Sequence, residues 1–197
     1  PGERVLEFVL AVPGRRYGEF IDTLQPLQAN AQAAPGETID ELRWGQHRLV
    51  VAHNPERARE QTERRALQIA ALQTRAAALA GKLDGQDAGQ VRRGRKLSDS
   101  GAKARFFHEV CEAHLANIVK VDLKSDRFTY TIEDVALARA ELMDGKLLLV
   151  TNVADLSAPE IVARYKSLAD IERGFRVLKS EIEIAPVFHR LPERIKA

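Results

Sequence analysis

Cysteine and methionine each occur once in this sequence of 197 residues, and no long apolar run is present. The single cysteine, Cys111, excludes an internal disulfide and a zinc centre built on several cysteines. Because no stretch reaches about 18 apolar residues, we expect no membrane-spanning helix and no membrane partner. No basic-then-apolar leader is present either, which favours a cytoplasmic protein over a secreted one.

The composition is sufficient for a folded core. Apolar residues make up 45% of the chain and charged residues 29%, so wholesale disorder is excluded. The five histidines lie without the regular spacing of metal ligands (His47, His53, His108, His114 and His189). His114 falls in an apolar stripe, and we expect it to be a buried core residue.

The two ends of the chain suggest a piece of a longer protein. The sequence starts at Pro1, and its methionine is Met143. Its last residues, 191–196, resemble the beginning of a helix with Pro192 in the first turn. We therefore expect truncation at both ends.

Positive charge is concentrated in the middle of the chain. Residues 54–106 contain twelve basic and six acidic residues, whereas residues 1–53 and 107–197 are each weakly acidic. The basic residues peak at 92–96, in Arg92, Arg93, Arg95 and Lys96. Such a segment attracts polyanions through counterion release, or is simply a solvated loop.

This basic segment is predicted to join two antiparallel helices. Asn54 and Pro55 form a favourable helix start, and an apolar seam follows at Ile69, Leu72, Ala76, Leu79 and Leu83. Four glycines from Gly81 to Gly94 predict a loop. Ser98 can cap a second helix, with Phe107, Val110, His114 and Ile118 on one face.

Short strands are predicted on either side of the helices. Residues 5–12 are typical of a buried strand, residues 28–36 of a loop, and residues 41–52 of a hairpin turning at Gly45. Phe128–Ile132 is strand-like. Residues 135–151 suggest a second hairpin closed at Asp144-Gly145.

Two helical segments are predicted near the end of the chain. Ser157 and Glu160 form a capping box, which begins a helix through Tyr165. A second helical pattern covers about 169–183, with a stripe expected to be buried (Ile171, Phe175, Leu178 and Ile182).

The last helix also carries charged residues in a regular arrangement. Glu172, Arg176 and Lys179 share one face, Tyr165 joins them if the helical phase is kept, and Arg173 is adjacent. One carboxylate among cations can form salt bridges on a solvated helix. Alternatively, it can bind a divalent metal while the cations hold nucleic-acid phosphates.

The segment 165–180 resembles the signature region of bacterial insertion-sequence transposases of the DDE class. Their signature is Tyr, two residues, Arg, three residues, Glu, six residues, Lys. Tyr165, Glu172 and Lys179 match it at the right spacing, whereas Leu168 occupies the Arg position. Residues 144–152 and 186–195 also resemble this family, and the likeness is looser before residue 140.

The resemblance implies a ribonuclease-H-like fold in which two aspartates and one glutamate hold two Mg²⁺ ions for in-line phosphoryl transfer. Glu172 would be the catalytic, metal-binding glutamate. Tyr165 and Lys179 would contact DNA phosphates, and Arg173 or Arg176 would replace the missing Arg. The two aspartates would precede residue 1, since Asp22 falls on a predicted helix.

We therefore predict an α/β (α+β) protein, a partial ribonuclease-H-like core with a helical-hairpin insertion. Its parts would be residues 1–53, the insertion at 54–120 and the catalytic segment at 121–197. The full-length enzyme would cut and join insertion-sequence ends as a homodimer on DNA, and this piece alone would be inactive. The alternative is a non-enzymatic helical scaffold that binds nucleic acid or a partner helix through its basic hairpin.

Overall fold

The computed structural model describes residues 6–90 and 96–181, with side chains described except at 30, 32, 33 and 178–181. The chain forms a mixed α/β architecture of six strands and six α-helices within these ranges. The strands are β1 (Val9–Ala11), β2 (Thr38–Trp44), β3 (His47–His53), β4 (Val119–Val121), β5 (Tyr130–Ile132) and β6 (Lys146–Thr151). The α-helices are α1 (Ile21–Leu24), α2 (Gln28–Ala33), α3 (Pro55–Asp87), α4 (Asp99–Glu112), α5 (Asp134–Met143) and α6 (Ala158–Glu181). Two 3₁₀ helices cover Gly14–Phe20 and Gln25–Leu27.

Four strands form one sheet in the order β1-β6-β3-β2, and β4 pairs with β5 in a separate antiparallel ribbon. In that ribbon Val119 lies opposite Ile132 and Val121 opposite Tyr130. The described residues separate into two compact units, one drawn from 6–10, 41–50 and 149–181 and the other from 11–40, 51–90 and 96–148. The α/β class is thus confirmed, while the predicted division into three consecutive parts stays a prediction.

The hairpin predicted around Gly45 is confirmed. β2 and β3 flank a two-residue turn in which Gly45 has a φ of 59°, a conformation that favours glycine. β3 is buried along Leu49–Ala52, as its apolar sequence predicts.

The prediction of a second hairpin is wrong, because the residues before Asp144 form helix α5 and not a strand. The segment is built from alanine, leucine, arginine, glutamate and methionine, which are good helix formers. The Asp-Gly dipeptide predicts a turn but does not show whether a helix or a strand precedes it. Here Gly145, with a φ of 69°, joins helix α5 to β6.

The two long helices predicted from the middle of the chain are confirmed, but the first is longer than expected. α3 has 33 residues and contains Gly81 and Gly85, which the sequence placed in a loop. A helical glycine costs about 1 kcal/mol relative to alanine. The burial of Leu79 and Leu83 on the same turns offsets that cost.

The face of α4 that packs on α3 differs by one residue from the predicted face. Phe106 and Val110 are fully buried, while Phe107 is exposed and His114 lies on the surface beyond the helix end. The buried seam of α3 has the predicted members, and an Arg75–Glu109 ion pair of 2.8 Å joins the two helices.

Two predictions for the first part of the chain are corrected. Residues 28–33 form α2, which was expected to be a loop, because the alanine- and glutamine-rich segment can continue the preceding helical turns. The strand predicted to be buried over 5–12 is the short strand Val9–Ala11, which is not buried, since Leu10 is 60% exposed. Val5 lies outside the described residues.

Candidate functional site

The candidate site lies on α6, whose start is fixed by one half of the predicted capping box, the return of the Glu160 side chain to Ser157. The Ser157 amide and hydroxyl both donate to Glu160 Oε2, at 2.8 and 2.6 Å. Ile161 and Val162 are buried on the first turns. Local hydrogen bonds and apolar burial therefore set the direction of the whole helix.

From there α6 continues without a break to Glu181, where the sequence predicted two helices. Leu168 lies between the two helical segments that the sequence predicted. Leucine is a strong helix former, so it does not interrupt the helix. The continuous helix keeps Tyr165 and Glu172 in phase, because seven residues are nearly two full turns. Lys179 follows seven residues later on the same helix, and its side chain lies outside the described atoms.

The signature residues lie on the surface of this helix. Glu172, Arg173 and Arg176 are exposed, and Tyr165 is half-buried. Arg173 pairs with Asp170 at 3.4 Å, three residues before it. Such an exposed pair is weak, so Arg173 can exchange this partner for a phosphate at little cost.

The apolar stripe of α6 is exposed, contrary to the prediction that it is buried. Of the four predicted members, Ile171 and Phe175 are 53% and 62% exposed, while Ile182 and the side chain of Leu178 lie outside the description. Leu168, which was not among them, extends the same side of the helix and is 55% exposed. A stripe with helical spacing predicts which side of a helix can be buried, but burial needs a second layer against it. That layer is absent from the described part of the chain.

The described residues do not complete a metal centre. No three histidine, cysteine, aspartate or glutamate side chains come together within them in a way that could hold an ion. Glu172 offers one exposed carboxylate, which fits a single ligand of a hard cation. Asp22 lies on the short helix α1, as the sequence predicted.

Sequence reasoning missed a buried polar cluster beside α3. Asp144 accepts hydrogen bonds from Arg65, at 2.9 and 2.5 Å, and from the Thr62 hydroxyl at 2.7 Å. The adjacent Gly145 amide donates to Gln61 Oε1 at 2.7 Å. The i, i+1, i+4 spacing of Gln61, Thr62 and Arg65 on α3 was visible, but their partners at 144 and 145 lie about 80 positions away.

Two buried bases lie close to this cluster. Burial lowers the pKa of His53, and the nearby Lys146 ammonium lowers it further. Burial also lowers the pKa of Lys146, while Asp144 opposes that change. Lys146 Nζ donates to Gln28 Oε1 and to the Leu142 carbonyl, at 2.8 and 2.6 Å.

The predicted basic tip falls largely outside the description. Lys96 is exposed, and Arg92, Arg93 and Arg95 lie among the residues that the structure does not describe. Its role in binding therefore stays a prediction.

Comparisons with protein-family models, with curated proteins and with solved structures find no match. Within the described ranges, no helix combines the length and apolar character that a bilayer crossing requires.

Proposed function

We propose that this chain is the C-terminal part of a DDE transposase, which cuts and joins the ends of an insertion sequence. Glu172 is its catalytic, metal-binding glutamate, and the core is ribonuclease-H-like. The signature match of Tyr165, Glu172 and Lys179 supports the proposal.

The main support for the proposal is that the apolar stripe of α6 and the side of the helix that carries Glu172 are adjacent and both exposed. With about 100° of rotation per residue, Glu172 lies only about 40° around the axis from Leu168. A helix that packs through Leu168, Ile171 and Phe175 therefore places Glu172 at the edge of the contact. A solvated surface helix has no use for such an apolar stripe.

The layer that covers the stripe is, in this proposal, the sequence that carries the two catalytic aspartates. Strands of that segment pack on the apolar side of α6 and bring their carboxylates to Glu172. Two Mg²⁺ ions held by these three acids supply the in-line displacement chemistry. The 197 residues alone are inactive in this account.

The cations of α6 bind DNA on the same edge. Arg173 and Arg176 are exposed beside Glu172, and Lys179 lies about 10 Å further along the axis. Arginine and lysine at such distances hold phosphates and position a strand without reading its bases. Arg173 or Arg176 replaces the signature arginine where Leu168 stands. The enzyme acts as a homodimer on DNA in the bacterial cytoplasm.

The proposal is tested in the protein extended by its natural preceding sequence. Strand cleavage of a DNA carrying the element end is measured in Mg²⁺. Glu172→Gln keeps the size of the side chain but removes an anionic ligand, so cleavage should collapse while DNA binding persists. Asp155→Asn, which neutralises an exposed carboxylate before the start of α6, is the control and should cleave at close to the normal rate.

Near-normal cleavage by Glu172→Gln would refute the assignment. If the extended protein binds DNA but cleaves none, the scaffold alternative is favoured. In that case binding should depend on the basic hairpin and not on α6.

A further inference from the structure

A polar groove separate from α6 lies where α3, α4 and α5 approach one another. It consists of two cavities of about 440 and 580 Å³, which share Arg65, His114 and Leu115 in their walls. The smaller is completed by α3, and the larger by the first 3₁₀ helix and α5. All of its lining residues belong to one compact unit.

The groove has a surplus of positive charge and of hydrogen-bond donors. Its described lining includes Arg64, Arg65 and Arg139 and one carboxylate, Asp144. Both oxygens of Asp144 already accept hydrogen bonds from Arg65. Arg64 and Arg139 are exposed, so two cations remain for a ligand. Three amide side chains add neutral donors (Gln61, Gln68 and Asn117).

His114 lies at the junction of the two cavities in an unusual conformation. Its φ of 57° makes it the one non-glycine residue with left-handed backbone in the described ranges. It ends α4 in a Schellman motif, since its amide donates to the Cys111 carbonyl and the Leu115 amide to the Val110 carbonyl. Glycine is the usual residue there, and a side chain costs about 1 kcal/mol. Such strain is concentrated at functional positions.

We propose that this groove binds the sugar–phosphate backbone of DNA, as a second contact besides α6; the inference rests on the proposed function. Arg64 and Arg139 bind phosphates on either side of His114, and the imidazole donates between them. Tyr17 also lines the larger cavity, and its hydroxyl donates to the Lys146 carbonyl at 3.4 Å. Because the two arginines contact phosphates and read no bases, the groove binds DNA without a sequence preference.

The test measures binding of a short fluorescent DNA duplex of arbitrary sequence to the 197-residue chain over a range of salt concentrations. Replacing both Arg64 and Arg139 by alanine removes two phosphate contacts, so the slope of log affinity against log salt should fall by about 2. The matched control, Arg105→Ala with Arg127→Ala, removes the same charge from exposed positions outside the groove and should leave the slope unchanged.

A second variant addresses His114 itself. His114→Gly should raise the stability of the chain and weaken duplex binding, whereas a purely structural residue would change stability alone. Inorganic phosphate at equal ionic strength should not displace the duplex from the wild-type protein. Displacement would identify a free-anion site and overturn the proposal.

The experiments distinguish a failure of the groove proposal from a failure of the proposed transposase function. Equal slopes for the groove variant and its control, with wild-type binding intact, would overturn the groove and leave DNA binding in place. An absence of duplex binding by the wild-type chain would overturn the groove, whereas cleavage by the extended protein tests the proposed function independently.

Discussion

At the scale of single residues, Gly145, between α5 and β6, is the described glycine with the least room for a side chain. A Cβ atom built there would lie 2.4 Å from the Asn54 carbonyl oxygen and 2.8 Å from Ala58 Cβ. The residue also has a positive φ. The turn is held between the end of β3 and the start of α3, since the Asn54 amide donates to the Gly145 carbonyl at 3.0 Å.

Gly145→Ala should therefore lower the free energy of unfolding by about 2–4 kcal/mol, through backbone strain together with a clash against main-chain atoms. Gly45 is the matched control, because its φ is also positive and no atom lies within 4 Å of a built Cβ. Gly45→Ala should cost only about 1 kcal/mol. Urea unfolding of both variants measures the difference, and equal losses would contradict the close packing at Gly145.

The buried His53 makes stability depend on pH. Its pKa is lower in the folded chain than in the unfolded one, so the unfolded state binds more protons between the two values. This contribution to stability is present above the unfolded pKa of about 6.5 and is lost as the pH falls below it. His53→Gln should weaken the acid-side decline in urea-unfolding free energy, and an identical decline in the variant would exclude His53 as its source.

At the scale of elements, local signals predicted helix starts well. Asn54, Ser98 and Ser157 cap α3, α4 and α6, because a cap needs only a few neighbouring residues. Predictions that depend on contacts with residues distant in the sequence were wrong. The apolar residues of α6 did not show what covers them, and Asp144-Gly145 predicted a hairpin because nothing local indicated its contact with Arg65.

The face of α4 shows a second limit. The predicted stripe ran from Phe107 through His114 to Ile118, but the helix ends at Glu112 and the chain then turns at His114. Beyond a helix end the 3.6-residue period no longer applies, so a stripe drawn across it includes the exposed Phe107 and His114. Val110 and Ile118 are buried as predicted, and Phe106 is the buried residue that the stripe missed.

At the scale of the whole molecule, the candidate site could be predicted only in part. Tyr165, Glu172 and Lys179 were selected because they resemble the transposase signature, and a continuous α6 keeps their backbone positions in phase. The groove at His114 could not be predicted, because it joins residues from the first 3₁₀ helix, α3, the end of α4 and α5, which extend from Gly14 to Asp144 in the sequence. Such a surface is a product of tertiary packing and leaves no local pattern.

The central claim is a division of labour on α6, in which Glu172 binds metal and Lys179 binds phosphate. The most direct measurement is a Mn²⁺ titration, without DNA, of the protein extended by its preceding sequence. Glu172→Gln should weaken Mn²⁺ binding by about 10-fold or more, as the loss of an anionic ligand requires, whereas Lys179→Ala should bind Mn²⁺ like the wild type. Equal loss of affinity in both variants, or none in Glu172→Gln, would contradict the account.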